Sequence, residues 1–167
     1  LLVCSLWFWR FFFNGSNNIN FSKYNLKDDR FSRNVIGTIS DYKLIKSNFE
    51  IELTESAFFD DKGLLLKTVN ALKEKGFALS MDDFGAGYSS LNSLKDLPLD
   101  VLKLDAEFFR GESDAERSKI VVSEAIHLAQ SLDMRIVAEG IEKKEQVEFL
   151  ASIGCDMIQG YYFSKPV

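Results

Sequence analysis

Short apolar runs alternate with longer amphipathic stretches from residue 17 onward. Runs of four to eight aliphatic, aromatic and β-branched residues are typical of strands buried in a sheet. Strands that alternate with helices favour a parallel sheet whose strands are joined by crossover helices. The runs predict six strands, at Asn18–Ser22, Phe49–Thr54, Phe77–Asp82, Val101–Asp105, Arg135–Glu139 and Met157–Phe163.

Three stretches between these strands carry apolar residues at helical spacing. Lys62–Lys75 places Leu65, Val69 and Leu72 on one face, and Gly76 follows as a stop signal. The other two helices are predicted at Arg117–Leu132, with a stripe of Val121, Ala125, Leu128 and Leu132, and at Lys144–Ile153, with Val147, Leu150 and Ala151.

Every predicted strand carries a polar residue at or near its carboxyl end. In an α/β barrel the active site is built at that rim from the ends of several strands. Each residue taken singly is more often a solvated loop residue or a helix cap, but six successive strands with the same feature predict a site. The residues are Asn20, Glu52, Asp82 with Asp83, Lys103, Glu139 and Gln159, separated by 20 to 36 residues from strand to strand.

Composition narrows the class of protein. The 167 residues fit one domain, and 25 acidic against 20 basic residues give a formal net charge of −5. This balance argues against a partner DNA or RNA held by general charge attraction. It is compatible with a site that binds phosphate through cations, because bound metal ions reverse the local field.

Four of the rim residues are carboxylates, and such a group repels itself unless cations are present. Carboxylate oxygens suit Mg²⁺ or Mn²⁺, and the adjacent pair Asp82 and Asp83 suits a ligand shared between two ions. Asn20 would add a neutral oxygen. Lys103 would orient an attacking water or neutralise charge on a phosphoryl oxygen. A lyase or isomerase that uses Lys103 as a base beside Mg²⁺ is a further hypothesis.

Two other features of the sequence have a structural interpretation, which for one of them stands beside a functional one. His127, the only histidine, lies inside a predicted helix and is interpreted as structural. The stretch from Asp83 to Leu91 has two glycines and indicates a flexible lid over the site, with a simple turn as the alternative.

The first 17 residues differ from the rest. Leu1–Phe13 is almost wholly apolar, yet it is too short to span a membrane and lacks signal-peptide features. Residues 1–17 are interpreted as an apolar remnant or junction, with a membrane anchor just upstream or an apolar plug as alternatives. Two cysteines, Cys4 and Cys155, suit a reducing compartment.

Five motifs follow one another in order along the chain. They are Ile51–Ser56 (IELTES), Met81–Leu91 (MDDFGAGYSSL), Asp100–Asp105 (DVLKLD), Ala138–Glu142 (AEGIE) and Gln159–Pro166 (QGYYFSKP). These motifs resemble those of the EAL-domain cyclic-di-GMP phosphodiesterases. The resemblance implies an α/β, (β/α)₈ TIM-barrel-like fold that hydrolyses cyclic di-GMP to linear pGpG with two Mg²⁺ or Mn²⁺ ions in the bacterial cytoplasm.

The resemblance also implies roles for individual residues. Lys103 resembles the residue that contacts the attacking water, Gln159 the glutamine that positions it, and Glu55 the glutamate that steadies the lid loop. Glu139 is expected to act in catalysis and in metal binding. The metal ligands are implied to be Asn20, Glu52, Asp82, Asp83 and Glu139, and the lid loop to comprise Phe84, Gly85, Ala86, Gly87, Tyr88 and Ser89.

The family's namesake Glu-Ala-Leu segment is not found before Asn20. Residues 18–167 are therefore expected to form a partial EAL domain without its first strand and helix units. We expect impaired hydrolysis, and an unclosed sheet that is unstable or associates through its edges. A catalytically inactive module that binds cyclic di-GMP or another protein is the alternative function.

The resemblance implies partners beyond the nucleotide. A homodimer through the lid-loop region is expected in the intact protein, together with an upstream sensor or membrane domain. The expected location is cytoplasmic, with a tether to the inner membrane as an option.

Overall fold

The computed structural model describes residues 17–21, 25, 30–42, 48–54, 61–85, 91–109 and 115–165. These residues form six strands that alternate with helices, and a 3₁₀ turn at Ala106–Phe109. The strands are β1 Asn17–Phe21, β2 Phe49–Thr54, β3 Ala78–Phe84, β4 Val101–Leu104, β5 Arg135–Ala138 and β6 Met157–Ile158. The helices are α1 Phe31–Asp41, α2 Lys62–Glu74, α3 Leu91–Asp96, α4 Ala115–Ser131 and α5 Lys144–Ser152.

All six strands lie in one sheet in the order of the sequence, and every neighbouring pair is parallel. This confirms the predicted α/β class and matches part of a (β/α)₈ barrel. Within the described residues β1 pairs only with β2, and β6 only with β5. No described helix is long and apolar enough to cross a membrane.

The two faces of the sheet have opposite character, because side chains alternate along each strand. One face packs on the helices and forms the hydrophobic core with α2, α4 and α5. Its strand residues include Phe21, Ile51, Leu53, Leu79, Met81, Leu102, Leu104, Ile136 and Ala138, none more than 1% exposed. The opposite face carries the polar strand residues and a few apolar ones. Its residues are either register partners in neighbouring strands or lie two positions apart along one strand: Asn18, Glu50, Glu52, Ser80, Asp82, Val101, Lys103, Val137 and Met157.

The predicted last strand, Met157–Phe163, is wrong beyond Ile158. The backbone after Gln159 leaves the sheet and bonds to the loop after β5: Ile141 donates to the Gln159 carbonyl and Tyr162 to the Ile141 carbonyl. Tyr161 and Phe163 are consequently exposed. β3 ends two residues later than predicted, β4 and β5 are each one residue shorter, and the predicted helix ends agree to within two residues.

The predicted apolar stripe of α4 is displaced by one residue. Val121 and Leu132 are 53% and 40% exposed, whereas the buried positions are Val122, Ile126 and Ala129. The two stripes have the same helical spacing, so periodicity alone does not decide which of them faces the sheet.

Candidate functional site

The strand register gathers the predicted rim residues into one layer. Asn20 is in register with Glu52 on β2, so the first two strands contribute residues at the same level. Asp82 lies two positions further along, opposite Thr54, and Glu139 lies two positions beyond Val137, the register partner of Lys103. From strand to strand, the residues at one level are thus displaced along the sequence by two positions for every two strands. This displacement is the shear of an eight-stranded barrel, whose strands tilt against the barrel axis.

A bulge places two aspartates opposite a single residue of β4. Met81 pairs with Leu102 and Phe84 with Leu104, so Asp82 and Asp83 together face one position. Asp83 takes a left-handed backbone conformation with φ of 56°, and its amide donates to Asp82 Oδ1 at 3.1 Å. Without the bulge, adjacent strand residues would point to opposite faces. The bulge therefore keeps both carboxyl groups at the rim.

Lys103 lies in the centre of the layer and is 4% exposed. Its ammonium donates to Glu52 Oε1, lies 3.3 Å from Glu139 Oε1, and lies 3.7 Å from Asp82 Oδ1. Glu52 is itself only 4% exposed. The carboxylates of three different strands thus meet one buried cation.

The charges in this layer perturb one another. Burial alone would lower the pKa of Lys103, but the carboxylates of Glu139, Asp82 and Glu52 raise it above its ordinary value, so the side chain stays an ammonium. Burial raises the pKa of Glu52 and of Glu139, and the nearby Asp82 carboxylate adds to both shifts while Lys103 opposes them.

Asp83 lies at the edge of the same charge cluster. Burial raises its pKa, and the carboxylates of Asp82 and Asp105 raise it further, while Lys103 lowers it. Together Glu52, Asp82, Asp83 and Glu139 carry four negative charges against the one positive charge of Lys103. The site therefore attracts cations.

Among the described residues, no group of three or more acidic, histidine or cysteine side chains is arranged to hold one metal ion. The predicted carboxylates do converge, but on the Lys103 ammonium. The donor set still has the chemistry of a divalent-cation site, because it is rich in carboxylate oxygens and carries excess negative charge.

The remaining predicted site residues are placed less centrally. Asn20 is exposed on β1, and Gln159 follows β6, half-buried, with an Oε1 atom that finds no hydrogen-bond donor among the described residues. At the start of the lid, Phe84 stacks on Phe108 with 6.0 Å between ring centroids, and Gly85 has φ of 103°. A side chain at Gly85 would overlap the Phe108 ring.

Glu55, Ala86, Gly87, Tyr88 and Ser89 lie outside the described residues, and their roles stay predictions. His127 lies in α4 with its side chain 57% exposed, away from the layer of carboxylates.

Sequence reasoning missed three polar residues next to the site. Asn18 donates its amide to Glu52 Oε1 at 2.7 Å, Glu50 is 3% exposed on the same face, and Asp105 lies close enough to influence Asp83. A signal for two of them is present, because Asn18 precedes Asn20 by two residues and Glu50 precedes Glu52 by two. A spacing of two residues places both members of each pair on one face of a strand.

The sequence profile of the EAL domain matches residues 10–166. The cyclic di-GMP phosphodiesterase NbdA of Pseudomonas aeruginosa is 41% identical over 118 residues, which make up 71% of this chain and 15% of NbdA.

Solved structures give the same family. The EAL enzyme Bd1971, in a form with cAMP and cyclic di-GMP bound, superposes with a TM-score of 0.84 and 36% identity over 91% of this chain and 40% of its own. A manganese and cyclic-di-GMP complex of Klebsiella pneumoniae BlrP1 superposes with a TM-score of 0.81 and 30% sequence identity. The match covers 90% of this chain and 39% of the BlrP1 chain. The chain thus spans less than half the length of each of these proteins.

Proposed function

Because the chain belongs to the EAL domain family, we propose that it is a cyclic-di-GMP phosphodiesterase domain, with linear pGpG as the product. The observation that carries this proposal is the buried Lys103 ammonium among the carboxylates of Glu52, Asp82 and Glu139 at the carboxyl rim of the sheet. The similarity to NbdA and to the nucleotide-bound EAL structures supports the choice of substrate.

We propose that two divalent ions, Mg²⁺ or Mn²⁺, belong to this site. The residues that would hold them are Asn20, Glu52, Asp82, Asp83 and Glu139. The excess of carboxylates over the single Lys103 ammonium supports this assignment, and so does the manganese complex of BlrP1. Bound ions would polarise the phosphoryl oxygens and make a water more acidic.

The chain's own residues would orient and stabilise the reaction. In the hydrolysis, a water oxygen bonds to phosphorus, one ribose O3′–phosphorus bond breaks, and a proton passes to the departing O3′. Lys103 carries a fixed positive charge and can hold the water or the growing negative charge on phosphorus. Gln159 offers an amide oxygen that accepts no hydrogen bond from the described residues and suits a water donor. Glu55 is proposed to steady the lid.

The direct test is hydrolysis of cyclic di-GMP in Mn²⁺, with pGpG separated by chromatography. We expect slow turnover by the 167-residue chain and none after Glu52→Gln. The matched control is Glu124→Gln, a change to an exposed glutamate of α4, which should leave the rate as it is. Absence of both hydrolysis and nucleotide binding by the wild-type chain would overturn the proposal.

One observation favours a second function, a module that binds cyclic di-GMP or a partner protein without cleaving the nucleotide. No three acidic side chains of the described residues share a metal position. Calorimetry with cyclic di-GMP in Ca²⁺ beside hydrolysis in Mn²⁺ separates the two, because a binding module would release heat in the first experiment and give no pGpG in the second.

We also propose a homodimer formed near the lid. Ile120 and Val121 of α4 are 62% and 53% exposed, and Val121 lines a cavity of about 320 Å³ together with Gly85 at the base of the lid. A second copy of the chain would cover these apolar side chains. Sedimentation equilibrium should give a dimer that Val121→Asp dissociates, whereas a monomeric wild-type protein would contradict the assignment.

The cellular setting is also a proposal. A bacterial cytoplasmic location is supported by the cysteine count of two, which suits a reducing compartment, and an upstream sensor or membrane domain is proposed from the family resemblance alone. Fractionation of cells that express the native gene, with an antibody against residues 115–165, would test it.

A further inference from the structure

One oxygen of Glu52 receives two hydrogen bonds from two different strands. Asn18 Nδ2 on β1 donates to Glu52 Oε1 at 2.7 Å, and the Lys103 ammonium on β4 donates to the same atom. The two donors approach from opposite sides of β2, since β1 adjoins it on one side and β4 lies beyond β3 on the other.

Asn18 reaches this oxygen from a lower level of the sheet. Its register partner on β2 is Glu50, two residues before Glu52, so its side chain crosses diagonally to the layer above. Lys103 alone would hold Glu52 less firmly, because its ammonium is shared with Glu139 and Asp82. A second donor on Oε1 restricts the rotation of the carboxyl group.

We propose that Asn18 is a positioning residue, whose side-chain amide fixes the Glu52 carboxylate in the orientation that binds a divalent ion. The inference rests on the proposed function, since it takes Glu52 as a ligand. Partners that hydrogen-bond to metal ligands change affinity by about 10–100-fold when they are removed. Asn18 is expected to act through Glu52 and to touch neither ion nor nucleotide.

The first experiment needs no metal. In the ¹⁵N spectrum of the 167-residue chain, the side-chain amide hydrogens of Asn18 are assigned by their loss in Asn18→Leu. A hydrogen bond to a carboxylate moves the bonded hydrogen downfield, and Glu52→Gln should reverse much of that shift. An Asn18 amide that is insensitive to Glu52→Gln would overturn the inference.

The second experiment measures Mn²⁺ affinity from the electron paramagnetic resonance signal of the free ion. Asn18→Ala and Asn18→Leu should both weaken binding by about 10-fold or more, because both remove the donor. Asn18→Gln keeps an amide and should recover part of the affinity. If the Asn18 side chain contributed only its volume, the Asn18→Leu variant would bind Mn²⁺ with the affinity of the wild type, and that result would overturn the inference.

Ser80→Ala is the matched control within the same face. Ser80 is fully buried, in register with Glu52, and its hydroxyl has no hydrogen-bond partner among the described residues. The Ser80→Ala substitution should leave the Mn²⁺ affinity unchanged. If the wild-type chain binds Mn²⁺ no better than Asn18→Leu does, the inference alone is refuted. If the wild-type chain binds no Mn²⁺, the proposed metal site is refuted and the inference with it.

Discussion

The two faces of the sheet are stabilised by different interactions. The helix-facing side is the face that packs on the helices, and the rim-facing side is the opposite face, which carries Glu52 and Lys103. On the helix-facing side, Leu79 and Ile136 are fully buried among other aliphatic side chains and need no specific partner. On the other side, Glu52 and Lys103 are almost as deeply buried and depend on each other. The comparison teaches that one strand can carry a tolerant apolar core on one face and an exacting charged network on the other, because its side chains alternate.

The largest expected effect comes from removing the cation of the charged face. Lys103→Met leaves Glu52, Asp82 and Glu139 without their shared ammonium, and breaking a buried ion pair costs about 3–5 kcal/mol. Urea denaturation of the metal-free chain should show a loss of that size.

Lys119→Met is the control for that substitution. It removes an exposed pair with Glu116, one turn away on α4, which is worth about 0.5 kcal/mol or less. Equal losses for the two variants would contradict the difference between the buried and the exposed pair.

Two adjacent residues of β5 compare the faces directly. Ile136 is 0% exposed in the core cluster, and Val137 is 1% exposed on the rim-facing side. Ile136→Ala should cost about 2–5 kcal/mol. Val137→Ala should cost about 1.5 kcal/mol, from two methyl groups at about 0.8 kcal/mol each. Thermal melts of both variants check the ranking, and a larger loss for Val137→Ala would contradict it.

Cys155, which is half-buried, shows what burial does to an acid beside which the described residues place no cation. Burial raises the pKa of its thiol to about 11, because backbone hydrogen bonds at Met157 and Ala138 offset only part of the desolvation and the Asp156 carboxylate adds to it. At pH 8 a Cys4→Ser variant should react with a disulfide reagent about 100-fold more slowly than an unfolded control, which follows from a pKa about two units higher.

The raised thiol pKa also makes the free energy of unfolding depend on pH. The native state retains the proton more strongly than the unfolded chain, so the contribution is complete below the unfolded pKa and is lost as pH rises towards 11. Rapid labelling at pH 8 would contradict the raised thiol pKa.

The smallest effect is expected for a polar group of the rim-facing side that has no hydrogen-bond partner in the part of the chain that the structure describes. The buried Ser80 hydroxyl makes no hydrogen bond to described residues, so Ser80→Ala removes an unsatisfied group. Its stability should be unchanged or higher by up to about 1 kcal/mol. A loss above about 1 kcal/mol in urea denaturation would show that the hydroxyl is satisfied in solution.

The sequence by itself determined the order of strands and helices and the identity of the rim residues. Alternation and helical spacing are local properties, and they suffice to place Glu52, Lys103 and Glu139 at the carboxyl ends of strands. The same local logic does not find Asn18 as a partner of Glu52, because a contact across 34 residues is set by strand register.

Only the tertiary structure decided three further features. It selected Val122 rather than Val121 as the buried side of α4, since packing on the sheet chooses between equivalent stripes. It introduced the bulge that brings Asp82 and Asp83 to one rim. It made Lys103 the common cation of three carboxylates from three strands, because the tilt of parallel strands sets which residues share a level.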